Sequence, residues 1–130
     1  MKKFNGQYTE EAELLDAVKK WLEPQRRRGV HLIRVVDRYT KGYSDLFINA
    51  HGRFIAVELK DDTGVASPHQ EAFIEDVIAA GGAGGICRTV QEVANLIDNA
   101  VYCYCPDKQN VGMYCTRCGK IIRRGVPPCQ

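Results

Sequence analysis

A chain of 130 residues has room for one ordinary domain and a small appendage, which excludes a multidomain machine. With 45% hydrophobic and 26% charged residues it has a globular composition, and no apolar run approaches the ~18 residues needed to cross a bilayer, so no membrane span is expected. The net charge of +2 neither demands nor excludes a nucleic-acid partner, which leaves the distribution of charge to decide.

The amino terminus, MKKFNG, is charged without an apolar segment behind it and predicts an intracellular, cytoplasmic protein. Thr9 is a candidate cap for a first helix whose apolar positions Leu14, Leu15, Val18, Trp21 and Leu22 recur at helical spacing. Pro24 stops it, and Glu11 falls on its apolar face. Basic residues gather around the end of this helix and beyond it: Lys19, Lys20, Arg26, Arg27, Arg28, Arg34, Arg38 and Lys41. They read equally as a solvated surface or as phosphate contacts. Three strand-like runs follow, at 31–36, 45–48 and 53–59, rich in β-branched and aromatic residues, and NAHGR makes a hairpin of the last two. Ser67, Pro68 and Gln70 open a second helix as a capping box, and Gly81-Gly82 ends it. A short fourth strand is expected at 85–87, then a third helix opened by the capping box Thr89 and Glu92 and running to Ile97. From about Val101 the composition shifts, and five of the six cysteines fall in the last thirty residues. The expected organisation is therefore an α/β domain over residues 1–100 and a separate small module over 101–130.

Asp45 heads one strand of the hairpin and Glu58 ends the other, so antiparallel pairing brings the two acids together. Glu58 and Lys60, two apart, share one face, while Val57 and Leu59 point into the core. Two crowded carboxylates repel unless a cation lies between them, and a few hard oxygen ligands suit Mg²⁺. A neighbouring ammonium can orient an attacking water and balance charge on a phosphate, which is the chemistry of phosphodiester hydrolysis. Spacing alone is equally compatible with a same-face surface ion pair and a turn aspartate.

The acid in GYSD, the acid-x-lysine in VELK and the glutamine in SPHQ, inside an αβββαβ order, resemble the PD-(D/E)xK nuclease superfamily, in its VRR-NUC and Holliday-junction-resolvase-like branch. The resemblance covers roughly residues 9–98, with Ser44 where the first motif usually has proline and no literal Val-Arg-Arg triplet. It implies a restriction-endonuclease-like core, a mixed central sheet flanked by helices. It also implies that Asp45 and Glu58 bind Mg²⁺ or Mn²⁺ together with the Leu59 backbone carbonyl, and that Lys60 is catalytic. Gln70 would then support the lysine or the water, although a capping box alone accounts for it. A first-helix acid often completes the site in this superfamily; Glu11 is the choice here, with Glu10 and Glu13 as alternatives.

In the C-terminal module, Cys103-x-Cys105 is followed by Cys115-x-x-Cys118-Gly119, a zinc knuckle in which Gly119 lets the backbone fold back. The expected Zn²⁺ ligands are Cys103, Cys105, Cys115 and Cys118, with Cys129 a possible replacement for Cys103; Cys87 reads as core. Thirty residues hold little apolar material, so a structural metal would supply much of the folding free energy of this zinc-ribbon-like segment. Arg117, Lys120, Arg123 and Arg124, with Tyr102, Tyr104 and Tyr114, suit contacts to phosphate and unpaired bases; a protein-docking knob is the rival.

Together these features predict a Mg²⁺-dependent endodeoxyribonuclease with structural zinc. Branched DNA of the Holliday-junction or flap type, as in repair and recombination, is the expected partner. A homodimer is expected too, since a four-way junction offers two strands for symmetric cleavage. The alternatives are a restriction-like or RNA-directed nuclease, and a non-catalytic nucleic-acid-binding module. A histidine-metal nuclease built on His31, His51 and His69 matches no ligand spacing.

Overall fold

In the computed structural model, residues 8–33, 44–104, 110–111 and 114–122 are described. Helix α1 (Glu11–Leu22) presents Leu14, Val18 and Leu22 to the core, as its apolar spacing predicts. Thr9 is not its cap. The N-cap is Glu10, in extended conformation, because the preceding backbone is held as a strand: the Tyr8 carbonyl accepts from the Asp62 amide at 2.9 Å. Pro24 ends the α-helical hydrogen bonding but not the helical path. It sits in the first turn of a 3-10 helix (Glu23–Arg28), where its missing N–H costs nothing, and Gly29 at φ 87° closes that turn.

Strand β1 (Val30–Ile33) begins one residue before the predicted position, and the rest of that predicted strand lies outside the described residues. Strands β2 (Leu46–Ala50) and β3 (Arg53–Leu59) form the predicted hairpin, joined by His51 and Gly52, both at positive φ. Such a two-residue turn matches the twist of the flanking strands. β1 pairs antiparallel with β2, and β2 with β3. Helix α2 (Pro68–Ala79) then crosses over so that β4 (Ala83–Cys87) pairs parallel with β3, giving a mixed sheet in the order β1-β2-β3-β4. Ala80 caps α2, one residue before the predicted glycines. Both capping boxes are formed, at Ser67/Gln70 and at Thr89/Glu92, and helix α3 (Val90–Val101) runs four residues past the predicted end.

The two faces of the sheet are covered unequally. On one face Leu46, Ile48, Ile55, Val57 and Leu59 meet α1 and α3, whose Val93, Ile97, Ala100 and Val101 complete the core. On the other face α2 packs over β3 and β4, and comes so close that a side chain at Gly84 would lie 3.1 Å from both Ile74 Cγ2 and the Ala56 carbonyl. This close approach explains a strand built on Ala-Gly-Gly, which strand propensity does not favour.

Beyond α3 the chain returns to its own helix end. The Cys103 amide donates to Ile121 O at 2.7 Å and the Ile121 amide to Val101 O at 2.9 Å, with Ile121 packed against the core. Between these anchors lies a two-stranded pair, β5 (Asn110–Val111) and β6 (Tyr114–Cys115).

Candidate active site

The β2–β3 register brings the acids together. Leu46 pairs with Val57, so Asp45, one residue earlier, stands beside the end of β3, and its Oδ2 accepts the Leu59 amide at 2.8 Å. Glu58 is 1% exposed on the sheet face covered by α2. Its Oε1 accepts from Gln70 Nε2 at 2.5 Å and faces Lys60 Nζ at 3.4 Å. Glu11, in the first turn of α1, reaches the same lysine at 3.9 Å. One carboxylate oxygen from each of Glu11, Asp45 and Glu58 lies within 4.8 Å of the others. Gln70 makes the expected cap, with Oε1 accepting the Ser67 amide at 2.9 Å, but its Nε2 donates to Glu58 and not to the lysine it was expected to support.

The electrostatics of this cluster are those of excess negative charge. Burial, then the neighbouring Asp45, push the Glu58 carboxyl up to about 7 against the pull of Lys60. Glu11 is also raised, first by burial, with Lys60 opposing and Asp45 adding to the rise. Glu58 Oε2 is buried without a hydrogen-bond partner among the described residues. Buried polar atoms are normally satisfied, and an unpartnered carboxylate oxygen beside two further carboxylates fits a hard divalent cation bound by oxygen. A cation there would relieve the repulsion that raises both groups.

The segment after Lys60 is braced by residues that sequence reasoning did not single out. Asp61 Oδ1 accepts the Gly64 and Thr63 amides at 2.7 and 3.1 Å, bonds that hold its carboxyl below the usual range. Arg88 Nη1 donates to the Asp61 carbonyl at 2.5 Å, and the Lys60 amide to Cys87 O at 3.1 Å. The Asp-x-Thr-Gly pattern was the available signal for that turn. Arg88 gave none, because its partner is a backbone carbonyl 27 residues away.

A second cluster stands near the opposite end of the hairpin. The sulfurs of Cys103, Cys115 and Cys118 lie within 4.8 Å of one another, and four thiolates at ~2.3 Å from one tetrahedral zinc stand about 3.8 Å apart. Gly119, at φ 73°, donates to Cys115 O at 2.8 Å and turns the knuckle back. The Cys118 amide, followed by the Cys103 side chain, draws the Cys115 thiol down to about 6, against burial, so this sulfur is poised as the thiolate that a soft metal takes. Cys105 and Cys129 lie outside the described residues, as do Arg34, Arg38, Lys41, Lys108, Arg123 and Arg124. Cys87 is buried, and burial pushes its thiol up to about 12. None of His31, His51 and His69 joins a metal-capable cluster among the described residues.

No protein-family model matches the sequence, and no curated protein matches it. Solved structures do match the fold. One, a "VRR_NUC domain", is 22% identical with a TM-score of 0.56 over 70% of this chain and 97% of that one. Another, a "VRR_NUC domain protein", is 20% identical with a TM-score of 0.55 over 70% of this chain and 87% of the other. The chain shares the fold of these VRR_NUC domain structures. No helix among the described residues is long and apolar enough to cross a membrane.

Proposed function

We infer that this chain is a Mg²⁺- or Mn²⁺-dependent endodeoxyribonuclease that hydrolyses phosphodiester bonds and prefers branched DNA, a Holliday junction or a flap. The observation that carries this reading is the convergence of Glu11, Asp45 and Glu58 within 4.8 Å, with Lys60 beside a Glu58 oxygen whose twin is buried and unpartnered among the described residues. Glu11, Asp45, Glu58 and the Leu59 carbonyl hold the divalent metal, which supplies charge stabilisation at the scissile phosphate. Lys60 orients the attacking water and offsets negative charge as the phosphate gains a fifth ligand. Gln70 fixes the rotamer of Glu58 through its amide, and Asp45 fixes the Leu59 peptide through its amide.

The structural part of the reading assigns Zn²⁺ to Cys103, Cys105, Cys115 and Cys118 in a module spanning 101–130, beside a nuclease domain over 1–100. The preference for branched DNA rests on symmetry: a homodimer matches the two equivalent strands of a four-way junction. The test is cleavage of four-way, flap, linear duplex and single-stranded DNA, and of RNA, with Mg²⁺, with Mn²⁺ and with chelator, alongside sedimentation of the protein. Metal-dependent nicking of junctions ahead of linear duplex by a dimer is the expected result. Equal cutting of linear DNA by a monomer would move the assignment to a restriction-like enzyme, preference for RNA to an RNA-directed one, and no cutting of any substrate would refute catalysis.

A further inference from the structure

A cleft of about 350 Å³ opens between the end of α1, the 3-10 helix, the β2–β3 turn and α3. It lies at the far end of the hairpin from the carboxylates: Asp45 and His51 are six residues apart along β2, roughly 20 Å at the ~3.3 Å rise of a strand. Its lining combines flat aromatic surfaces with hydrogen-bonding edges. Trp21 and Tyr102 supply aromatic rings, and the His51 ring lies 6.5 Å from that of Tyr102. Gln91 and Asn95, one turn apart on α3, are tied by Gln91 Nε2 donating to Asn95 Oδ1 at 2.8 Å. That bond leaves Gln91 Oε1 as an acceptor and Asn95 Nδ2 as a donor, side by side. Arg28 adds an exposed guanidinium that makes no ion pair among the described residues.

His51 is an unfavourable residue for its place in the backbone. It takes φ 50° at the first position of a two-residue hairpin turn, where Asn, Asp or Gly is preferred. Its ring is seated on Gly29, where an added Cβ would come within 2.6 Å of the imidazole, and its amide donates to Gly29 O at 2.9 Å. The turn therefore holds the imidazole against the cleft wall. Such a departure from local preference beside a cavity points to a role in binding.

We propose that this cleft binds an unpaired nucleotide, with the base against Trp21, His51 and Tyr102, its polar edge on the Gln91–Asn95 amides and its phosphate on Arg28. The volume falls in the range of small-ligand pockets, and stacking on aromatic rings with amide contacts to the base edge is how unpaired bases are held. The inference does not rest on the cleavage reading. The nucleotide comes either free, as a nucleoside monophosphate, or exposed within a nucleic-acid strand.

Trp21 is the only tryptophan in the chain, so its fluorescence reports occupancy without a label. The full-length protein, without added Mg²⁺, is titrated with AMP, GMP, CMP and UMP, with ribose 5-phosphate, and with short single strands that are intact or carry one abasic site. Saturable quenching by a nucleoside monophosphate or by the intact strand, and none by ribose 5-phosphate, is expected. His51→Asn installs the residue the turn prefers, so it should weaken binding about tenfold without lowering Tm, and Asn95→Ala should weaken it similarly. A tighter intact strand that loses its advantage at an abasic site identifies a strand-borne nucleotide; equal or tighter monophosphate identifies a free one. Absence of saturable quenching by monophosphates and strands alike overturns the proposal, as does unaltered quenching in folded His51→Asn and Asn95→Ala proteins.

Discussion

Glu58 is where the chemistry of the site and the stability of the fold conflict most directly. Its carboxyl titrates near 7 in the fold against 4.5 for an ordinary glutamate, so the folded state favours its protonated form. The stabilisation is fully present below about 4.5 and is lost as pH rises through about 7. Metal-free wild-type protein should therefore lose Tm relative to Glu58→Gln between pH 4.5 and 8, and Mg²⁺ should raise the wild-type Tm most at the upper end of that range. Thermal melts of both proteins with and without Mg²⁺ check this; parallel pH profiles would mean that Glu58 carries no such strain. Lys60 meets two of the three acids, so Lys60→Ala removes the cation and leaves the carboxylates in place. Cleavage should fall by roughly 10²–10⁴-fold, the range for a catalytic group at the reacting centre, while DNA binding survives. Undiminished turnover by that variant would remove Lys60 from the mechanism.

Among the elements, α2 has the most specific relation to the site, because its first turn carries a residue with two duties. Ser67→Ala removes only the hydroxyl that caps the Gln70 amide and should cost about 1 kcal/mol of stability with activity nearly unchanged. Gln70→Ala removes the reciprocal cap and also the amide on Glu58, so it should cost similar stability and lower the cleavage rate as well. Equal activity of the two variants, measured at a temperature where both are folded, would reduce Gln70 to its cap. The reach of sequence reasoning follows the same division. The helix starts at Ser67 and Thr89 were legible because a capping box is written within four residues, and Asp45, Glu58 and Lys60 because one hairpin holds them all. The bond from Gln70 to Glu58 was not legible. It depends on how far α2 descends onto β3 and β4, and that is set by the missing side chain at Gly84. Thr9 misled for a related reason, since a long-range backbone bond from Asp62 to Tyr8 decides where α1 begins. The 3-10 continuation past Pro24 was likewise hidden, because proline announces the end of α-helical bonding without fixing the conformation of the residues after it.

At the scale of the whole molecule, the carboxylate cluster stands where α1 meets the β2–β3 hairpin, and the cysteine cluster stands in the segment after α3. Oxygen ligands suit a hard divalent ion that keeps waters, whereas sulfur holds Zn²⁺ and not Mg²⁺. The proposed oxygen-bound and sulfur-bound ions should therefore be removable one at a time. The described contacts between the cysteine segment and the rest include the backbone bonds of Ile121 with Val101 and Cys103, the seat of Ile121 against the core, and Lys120 Nζ donating to Asn99 O at 2.6 Å. The α1–β3–α3 core has its own buried residues, among them Leu14, Val18, Val57, Val93 and Ile97. Cys115→Ser should accordingly release about one zinc per chain by elemental analysis and unfold residues beyond about 101, leaving the α/β core intact by circular dichroism. Any loss of junction cleavage should appear as weaker binding and not as slower chemistry on bound substrate, because the contacts of Glu58, Lys60 and Gln70 run among themselves and to Glu11. Retention of zinc by Cys115→Ser, or paired disulfides in the unreduced protein by mass spectrometry, would overturn the structural-zinc assignment. Comparing Cys103→Ser with Cys129→Ser then fixes the remaining ligand, since only the true one costs zinc.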